Sequence, residues 1–322
     1  MENFPFAFEL GEKPPLKLSK QFNSTEKQFV RNKLWLPFYK KVCGGVTPVG
    51  KIKYLCFPGL GCNFIKQLSA LGLISKDQTT IVAIEQNKFW HKSILEYFAS
   101  IFTLGKYEVI EGTYEKMISE ERLLRWFMEK PFGFDIIELD FPASLFSLSA
   151  DRRFILLESI AKTLKLQTFY GRNFYMLTTF KAQTPIPQSL NAQYGNSSKM
   201  LSKEILQKEN ALLNNAILNS LIATLASNPT EHSDEECNLF AIPLAIIRRA
   251  EGICTIELEE VPYTHVSESV GGTSRLASYV FKCQPRSYTI DCAGDYLSNE
   301  IKKRLDDAIK KTANAVWVNC KK

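Results

Sequence analysis

From Ile52 onward, short apolar runs alternate with longer stretches in which apolar residues recur every three or four positions. The runs "KIKYLCFPG", "TTIVAIEQ", "YEVIEG", "FDIIELDF" and "NFYMLTTFKA" have strand length and are rich in β-branched and aromatic residues. Between them, "CNFIKQLSALGLI", "KFWHKSILEYFASIF", "YEKMISEERLLRWFME" and "ADRRFILLESIAKTLKL" carry helical periodicity. Strands this continuously apolar are covered on both faces. Five of them separated by helices predict right-handed crossovers, hence a parallel sheet with helices on both faces.

The pattern differs on either side of this block. Asn23 with Glu26 resembles a capping box, and the helix it opens, with Phe29, Val30 and Leu34 on one face, is expected to stop at Pro37. After the fifth strand, "QTPIPQSLNAQYGNSSK" is a loop by composition. A long helix, "MLSKEILQKENALLNNAILNSLIATLAS", leads to the polar linker "NPTEHSDEEC". "FAIPLAIIRRA" reads as a helix interrupted near Pro243. "CTIELEEVPYTHV" and "RLASYVFKCQ" form an antiparallel pair, and "LSNEIKKRLDDAIKKTANAV" is an amphipathic helix. This divides the chain into a basic helical cap (1–50), a main α/β domain (51–284) and a helical tail (285–322).

Composition narrows the chemistry. A chain of 322 residues with 45% hydrophobic content suits one large domain with additions, or two small ones. No apolar run reaches bilayer-spanning length, and "MENFPFAFELGEKPP" lacks the layout of a signal peptide, so a soluble, cytoplasmic protein is expected. The eight cysteines contain no C-x-x-C pair and His is scarce, so no zinc, iron–sulfur or other metal site is expected; buried free thiols are. The net charge of +6 is concentrated towards the ends, in "KPPLKLSK", "KQFVRNK…KK" and "IKKRL…IKK…KK". Two basic flanks are suited to embracing a phosphate backbone, which makes nucleic acid the partner to test first; a protein partner stays open, and a membrane is not expected.

The candidate chemistry sits at the carboxyl ends of the strands, where open α/β sheets bind ligands. In "CFPGLGC", Pro58, Gly59 and Gly61 make a tight turn after the first strand; the glycines let backbone approach a ligand, and the next helix offers unpaired N–H groups. Such a turn also serves simply to reverse the chain. Glu85 ends the second strand, next to Gln86, and can accept hydrogen bonds from both hydroxyls of a ribose. No G-x-x-G-K-[ST] run is present, which argues for a nucleoside ligand without a P-loop triphosphate. Asp140 ends the fourth strand, where it can orient a substrate amine or cap the next turn; Pro142 bends the chain away. His91 belongs to a helix surface or to packing. His265 lies near the end of the sixth strand, where it could face the cleft. Phe89, Trp90, Tyr97 and Phe98 fit a helix packing face.

The order of these features, with "VIEGTYEKM" after the third strand and "IIELDFP" ending the fourth, resembles the class I S-adenosylmethionine-dependent methyltransferases over about residues 51–284. "IIELDFP" is also similar to a segment of tRNA guanine methyltransferases and, more loosely, to the Asp/Asn-Pro-Pro-aromatic motif of amino-methylating DNA enzymes. The resemblance implies a Rossmann-like, mostly parallel seven-stranded sheet with an antiparallel last strand and helices on both faces. It implies S-adenosyl-L-methionine as cofactor, with Pro58, Gly59 and Gly61 facing its methionine part, Glu85 and Gln86 at the ribose, and Thr113 and Tyr114 near the adenine. It places Asp140, Phe141 and Pro142 beside the transferable methyl and the acceptor, and it requires no metal.

The chain departs from the family pattern at several positions. "KYLCF" lacks the acid usual late in the first strand, Pro58 opens the turn, Thr113 stands where an adenine-contacting Asp is common, and Phe141 separates Asp140 from Pro142. Two readings therefore stay open: an active methyltransferase, with an RNA or DNA base as the favoured acceptor, and a catalytically degenerate Rossmann-like subunit that binds a protein or nucleic acid. A nicotinamide-dependent oxidoreductase would need G-x-G-x-x-G, and Phe64 occupies the third glycine position.

Overall fold

In the computed structural model of the chain, the described residues are 25–45, 52–59, 61–128, 133–141, 145, 150–168, 171–182, 196–227, 233–269, 272–285 and 299–318. The chain forms two compact units, Met1–Leu139 with Lys322, and Asp140–Lys321.

The first unit is built on four parallel strands, β1 (Lys53–Cys56), β2 (Thr80–Glu85), β3 (Tyr107–Glu111) and β4 (Ile136–Asp140, whose last residue opens the second unit), in the order β3-β2-β1-β4. Lys53 pairs with Thr80, Ile81 with Tyr107, and Tyr54 with Ile136. Every residue of β1 is buried, as expected of a central strand covered on both sides. Crossing from β1 to β2 is α3 (Asn63–Ala70), which buries Phe64, Ile65 and Leu68; from β2 to β3 runs α4 (Lys88–Ile101), which buries Ile94 and Phe98. Reversing the strand order at β1 puts its carboxyl end at the topological switch point, where ligand crevices form in sheets of this kind.

The N-terminal helix continues past Pro37. It runs as α1 (Thr25–Val30), a π-helical turn (Arg31–Trp35) and α2 (Leu36–Gly45). The Leu36 N–H reaches back to the Arg31 carbonyl, five residues earlier. That widened turn opens the ladder just before a residue that lacks an N–H and whose ring crowds the preceding turn, so the helix can absorb the proline. Trp35 and Tyr39 then pack edge-on against Phe64 at 5.3 and 5.2 Å. The helical stretch after β3 divides into α5 (Tyr114–Ser119) and α6 (Leu124–Met128), because Glu121 turns left-handed (φ 58°).

The second unit pairs its strands around a long β8 (Gly272–Pro285). β5 (Phe174–Lys181) lies antiparallel to it from Leu276 to Cys283. β6 (Cys254–Leu258) and β7 (Tyr263–Ser269) are antiparallel partners of its later and earlier halves, and β9 (Val316–Val318) adds parallel to β7. The segment expected as one strand, "CTIELEEVPYTHV", is thus two, parted at Glu259–Pro262. The fold is α/β and Rossmann-like, a parallel sheet followed by antiparallel pairing as expected, with nine strands among the described residues in place of seven. The added ones are that split strand and β9.

Five helices of the second unit carry described residues: α7 (Ala150–Thr168), α8 (Asn196–Leu213), α9 (Ala216–Ser227), α10 (Ser233–Arg249) and, after β8, α11 (Asn299–Ala313). The long helix expected over 200–227 breaks at Asn214 (φ 48°), and the Asn215 side chain caps the new start by accepting from the Ile217 and Leu218 N–H groups. Pro243 interrupts nothing. It lies inside continuous α10, and the Leu239 carbonyl, which a residue at 243 would normally bond, takes the Tyr279 hydroxyl at 3.0 Å. Cys56, Cys62, Cys237, Cys254 and Cys283 are free and buried, as expected. Among the described residues no helix is long and apolar enough to cross a membrane.

Candidate functional site

Three chain reversals meet at the carboxyl ends of β1, β2 and β3, all in the first unit. The first carries left-handed backbone at three residues, Gly59 (φ 62°), Gly61 (φ 88°) and Cys62 (φ 49°), and is closed by a 3.3 Å bond from the Cys62 N–H to the Gly59 carbonyl. Glycine adopts this region without penalty. At Gly61 conformation alone makes the demand, since an added Cβ would find only the Asn63 side chain, at 3.5 Å. Cys62 is the residue before α3 and makes no side-chain cap, so the helix start is left to other partners.

Glu85 is the last residue of β2 and is buried. Its Oε1 accepts the Asn87 N–H at 2.8 Å. Burial pushes the carboxyl up from 4.5 to about 7, against the opposing pull of the Asn87 and Gln86 N–H groups. The glycine turn lies within its field. The Cys62 thiol is pushed up to about 12, first by burial and then by Glu85, with Lys66 opposing. A carboxylate holds about four acceptor positions, and two backbone N–H groups leave room for about two more donors. A ribose presents two hydroxyls, so the donor set fits a nucleoside sugar. Gln86 is exposed, and the Asn87 side chain caps α4 by accepting from Phe89 and Trp90 N–H at 3.0 and 3.1 Å.

At the third reversal, Glu111 pairs in register with Glu85, and the Gly112 N–H donates to the Glu85 carbonyl at 3.0 Å. Thr113 caps α5, its hydroxyl accepting from the Lys116 N–H at 3.4 Å. Tyr114 is buried and meets Phe57, the residue opening the glycine turn, edge-on at 5.7 Å. The sequence-derived residues 58, 59, 61, 85, 86, 113 and 114 therefore gather around these three ends. Thr113 and Tyr114 are engaged in capping and packing there.

Asp140 ends β4 half-buried. Phe141 belongs to the core of the second unit: its ring stacks on Phe180 at 4.9 Å and its N–H donates to the Thr179 carbonyl at 2.9 Å. Pro142 lies outside the described residues. His91 is half-buried on α4, and its Nε2 carries the ring proton, because the partner 2.9 Å away is the Val109 carbonyl. His265 lies in β7 opposite Leu276.

Glu138 is not among the sequence-derived candidates. This β4 carboxylate is buried and accepts the Tyr54 hydroxyl and, at 3.4 Å, that of Tyr39. Burial first and Glu138 second push Tyr54 and the Cys56 thiol well up. One signal was legible: 136, 138 and 140 alternate with 137 and 139, so Glu138 shares a sheet face with Asp140. Its tyrosine partners were not, since Tyr39 comes from the N-terminal helix.

No protein-family model matches the chain, and no curated protein matches it in sequence. Solved structures similar to it include several S-adenosylmethionine-dependent methyltransferases. One, from Thiobacillus denitrificans in complex with S-adenosyl-L-homocysteine, shares 10% identity over 85% of this chain and 100% of its own, with a TM-score of 0.32. The 16S rRNA methylase ArmA shares 13% identity over 83% of this chain and 96% of its own, at 0.32. A precorrin 8w decarboxylase from Methanobacterium thermoautotrophicum shares 9% identity over 76% and 89%, at 0.29. These are likenesses of broad architecture and assign no chemistry.

Proposed function

We propose that the protein is an S-adenosylmethionine-dependent methyltransferase whose acceptor is a nucleic-acid base. The observation that carries this reading is the left-handed turn Gly59–Cys62 within the field of the buried Glu85 carboxylate, at the adjoining ends of β1 and β2. Gly59 and Gly61 offer backbone without side chains to a ligand's polar end, and Glu85 accepts from the sugar hydroxyls and so fixes the orientation of the nucleoside. When bound, the cofactor supplies an electrophilic sulfonium methyl for in-line displacement. Asp140, at the end of β4, is the candidate to accept a hydrogen bond from the acceptor amine and hold its lone pair in line. The test is transfer of labelled methyl from the donor to RNA, DNA and protein. The reading expects label in nucleic acid, lost in Glu85→Ala and reduced in Asp140→Asn; label in protein alone would overturn the acceptor, and label in none would overturn the activity.

A second reading has its own observation. Tyr114 and Phe141, expected beside adenine and acceptor, are buried in packing contacts with Phe57 and Phe180. A degenerate subunit that keeps the fold and binds a partner without turnover accounts for that. It expects nucleic-acid binding with no label transferred.

A further inference from the structure

We propose that the helical face formed by the π-helical turn, α3 and α4 binds single-stranded nucleic acid along its phosphate backbone, with aromatic side chains available to stack on bases. This stands apart from the donor site and needs no methyl transfer. Between Glu26 and Asp77 the chain carries nine lysines and arginines and no acidic residue. The fold gathers part of that charge on one layer. Asn32 of the π-helical turn accepts from the Gln67 side chain of α3 at 2.6 Å, and the Lys66 ammonium of α3 lies 4.8 Å above the Tyr97 ring of α4, so the π-helical turn meets α3 and α3 meets α4 at the protein surface. Lys33, Lys66 and Lys92 are each exposed on these helices, and none forms an ion pair among the described residues. Glu96 is the one acid on these three helices and is exposed one turn beyond Lys92.

Two features favour a nucleic-acid strand over other polyanions. Tyr97 is half-exposed beneath a cation, and Phe89 is exposed one turn before Lys92 on the solvent side of α4, although the sequence had assigned both to packing. Cations interleaved with exposed rings suit phosphates and stacked bases together. By contrast, α11 answers its exposed Lys302, Lys303 and Lys310 with Glu300, Asp306 and Asp307, and Lys310 pairs with Asp306 at 2.7 Å.

The experiment is fluorescence anisotropy of a labelled single-stranded RNA of about 20 nucleotides with the full chain at about 0.1 M salt and no methyl donor. Counterion release gives a salt exponent of about 0.7 per phosphate contact, so removing three contacts should lower affinity about 100-fold and flatten the salt slope by about 2. K33E/K66E/K92E is expected to show this while melting as wild type does; the single reversals K33E and K92E serve if the triple variant melts lower. Tyr97→Ala should weaken binding, Glu96→Gln should tighten it, and K302E/K303E should leave it within about twofold. The proposal is overturned if wild type does not bind RNA, if the Lys33, Lys66 and Lys92 reversals leave affinity unchanged, if K302E/K303E loses as much, or if phosphatidylserine vesicles bind in preference to RNA.

Discussion

Glu85→Gln should make the protein more stable and the sulfonium donor bind less well, with both effects titrating with one group. Its carboxyl sits at about 7 against an ordinary 4.5 because burial disfavours the charge more than two backbone N–H groups favour it. Between those values the folded protein holds the proton while the unfolded chain has released it, so stability falls as pH rises through the window. The penalty is absent below about pH 4.5, where both states are protonated, and complete above about pH 7, where both are ionised. At about 1.4 kcal/mol per pH unit the interval amounts to about 3 kcal/mol. Glutamine keeps an oxygen for the Asn87 N–H and buries no charge. Urea denaturation should find Glu85→Gln more stable by up to about 3 kcal/mol at pH 8 and equal to wild type near pH 4.5. Donor affinity should move the other way, rising about tenfold per pH unit up to about pH 7 in wild type and staying flat in Glu85→Gln. A stability difference that is the same at both pH values, or a wild type that is the more stable at pH 8, would refute the assignment of a buried, charge-bearing Glu85.

Other residues make separate tests. Gly61→Ala should cost about 1–2 kcal/mol from its left-handed backbone alone, since nothing blocks the Cβ; an unchanged melting temperature would show the turn to be plastic. Tyr54→Phe removes a donor from the buried Glu138 carboxylate and should destabilise by about 1–3 kcal/mol, more than Tyr39→Phe, whose hydroxyl stands 3.4 Å away. In the second unit, Glu235→Ala removes the 3.0 Å carboxylate partner of the half-buried Arg275, which keeps its contacts with Thr264 and Trp317, and should cost about 1–3 kcal/mol by chemical denaturation.

What could be read from the sequence follows from how local each signal was. The parallel strands announced themselves because covered strands are continuously apolar, and the glycine turn because left-handed backbone selects glycine. The misreadings arose where a remote partner changed the local rule. Pro243 breaks no helix because Tyr279 takes the orphaned Leu239 carbonyl, and Pro37 is absorbed by a π-helical turn that no hydrophobic pattern marks. Glu138 went unnoticed because its environment depends on Tyr39 arriving from the N-terminal helix. Glu85 was placed correctly at a strand end, but its burial, and with it the raised affinity for a proton, depends on the turns that close around it.

The central claim, that the reversals at Gly59–Cys62 and Glu85 receive an adenosyl group, is tested most directly by titration calorimetry at pH 8. The account predicts one-to-one binding of S-adenosylmethionine, abolished by Glu85→Ala and by Gly59→Trp, with no heat from NAD. No binding of the sulfonium compound to a folded wild type, or equal binding by both variants, would contradict it.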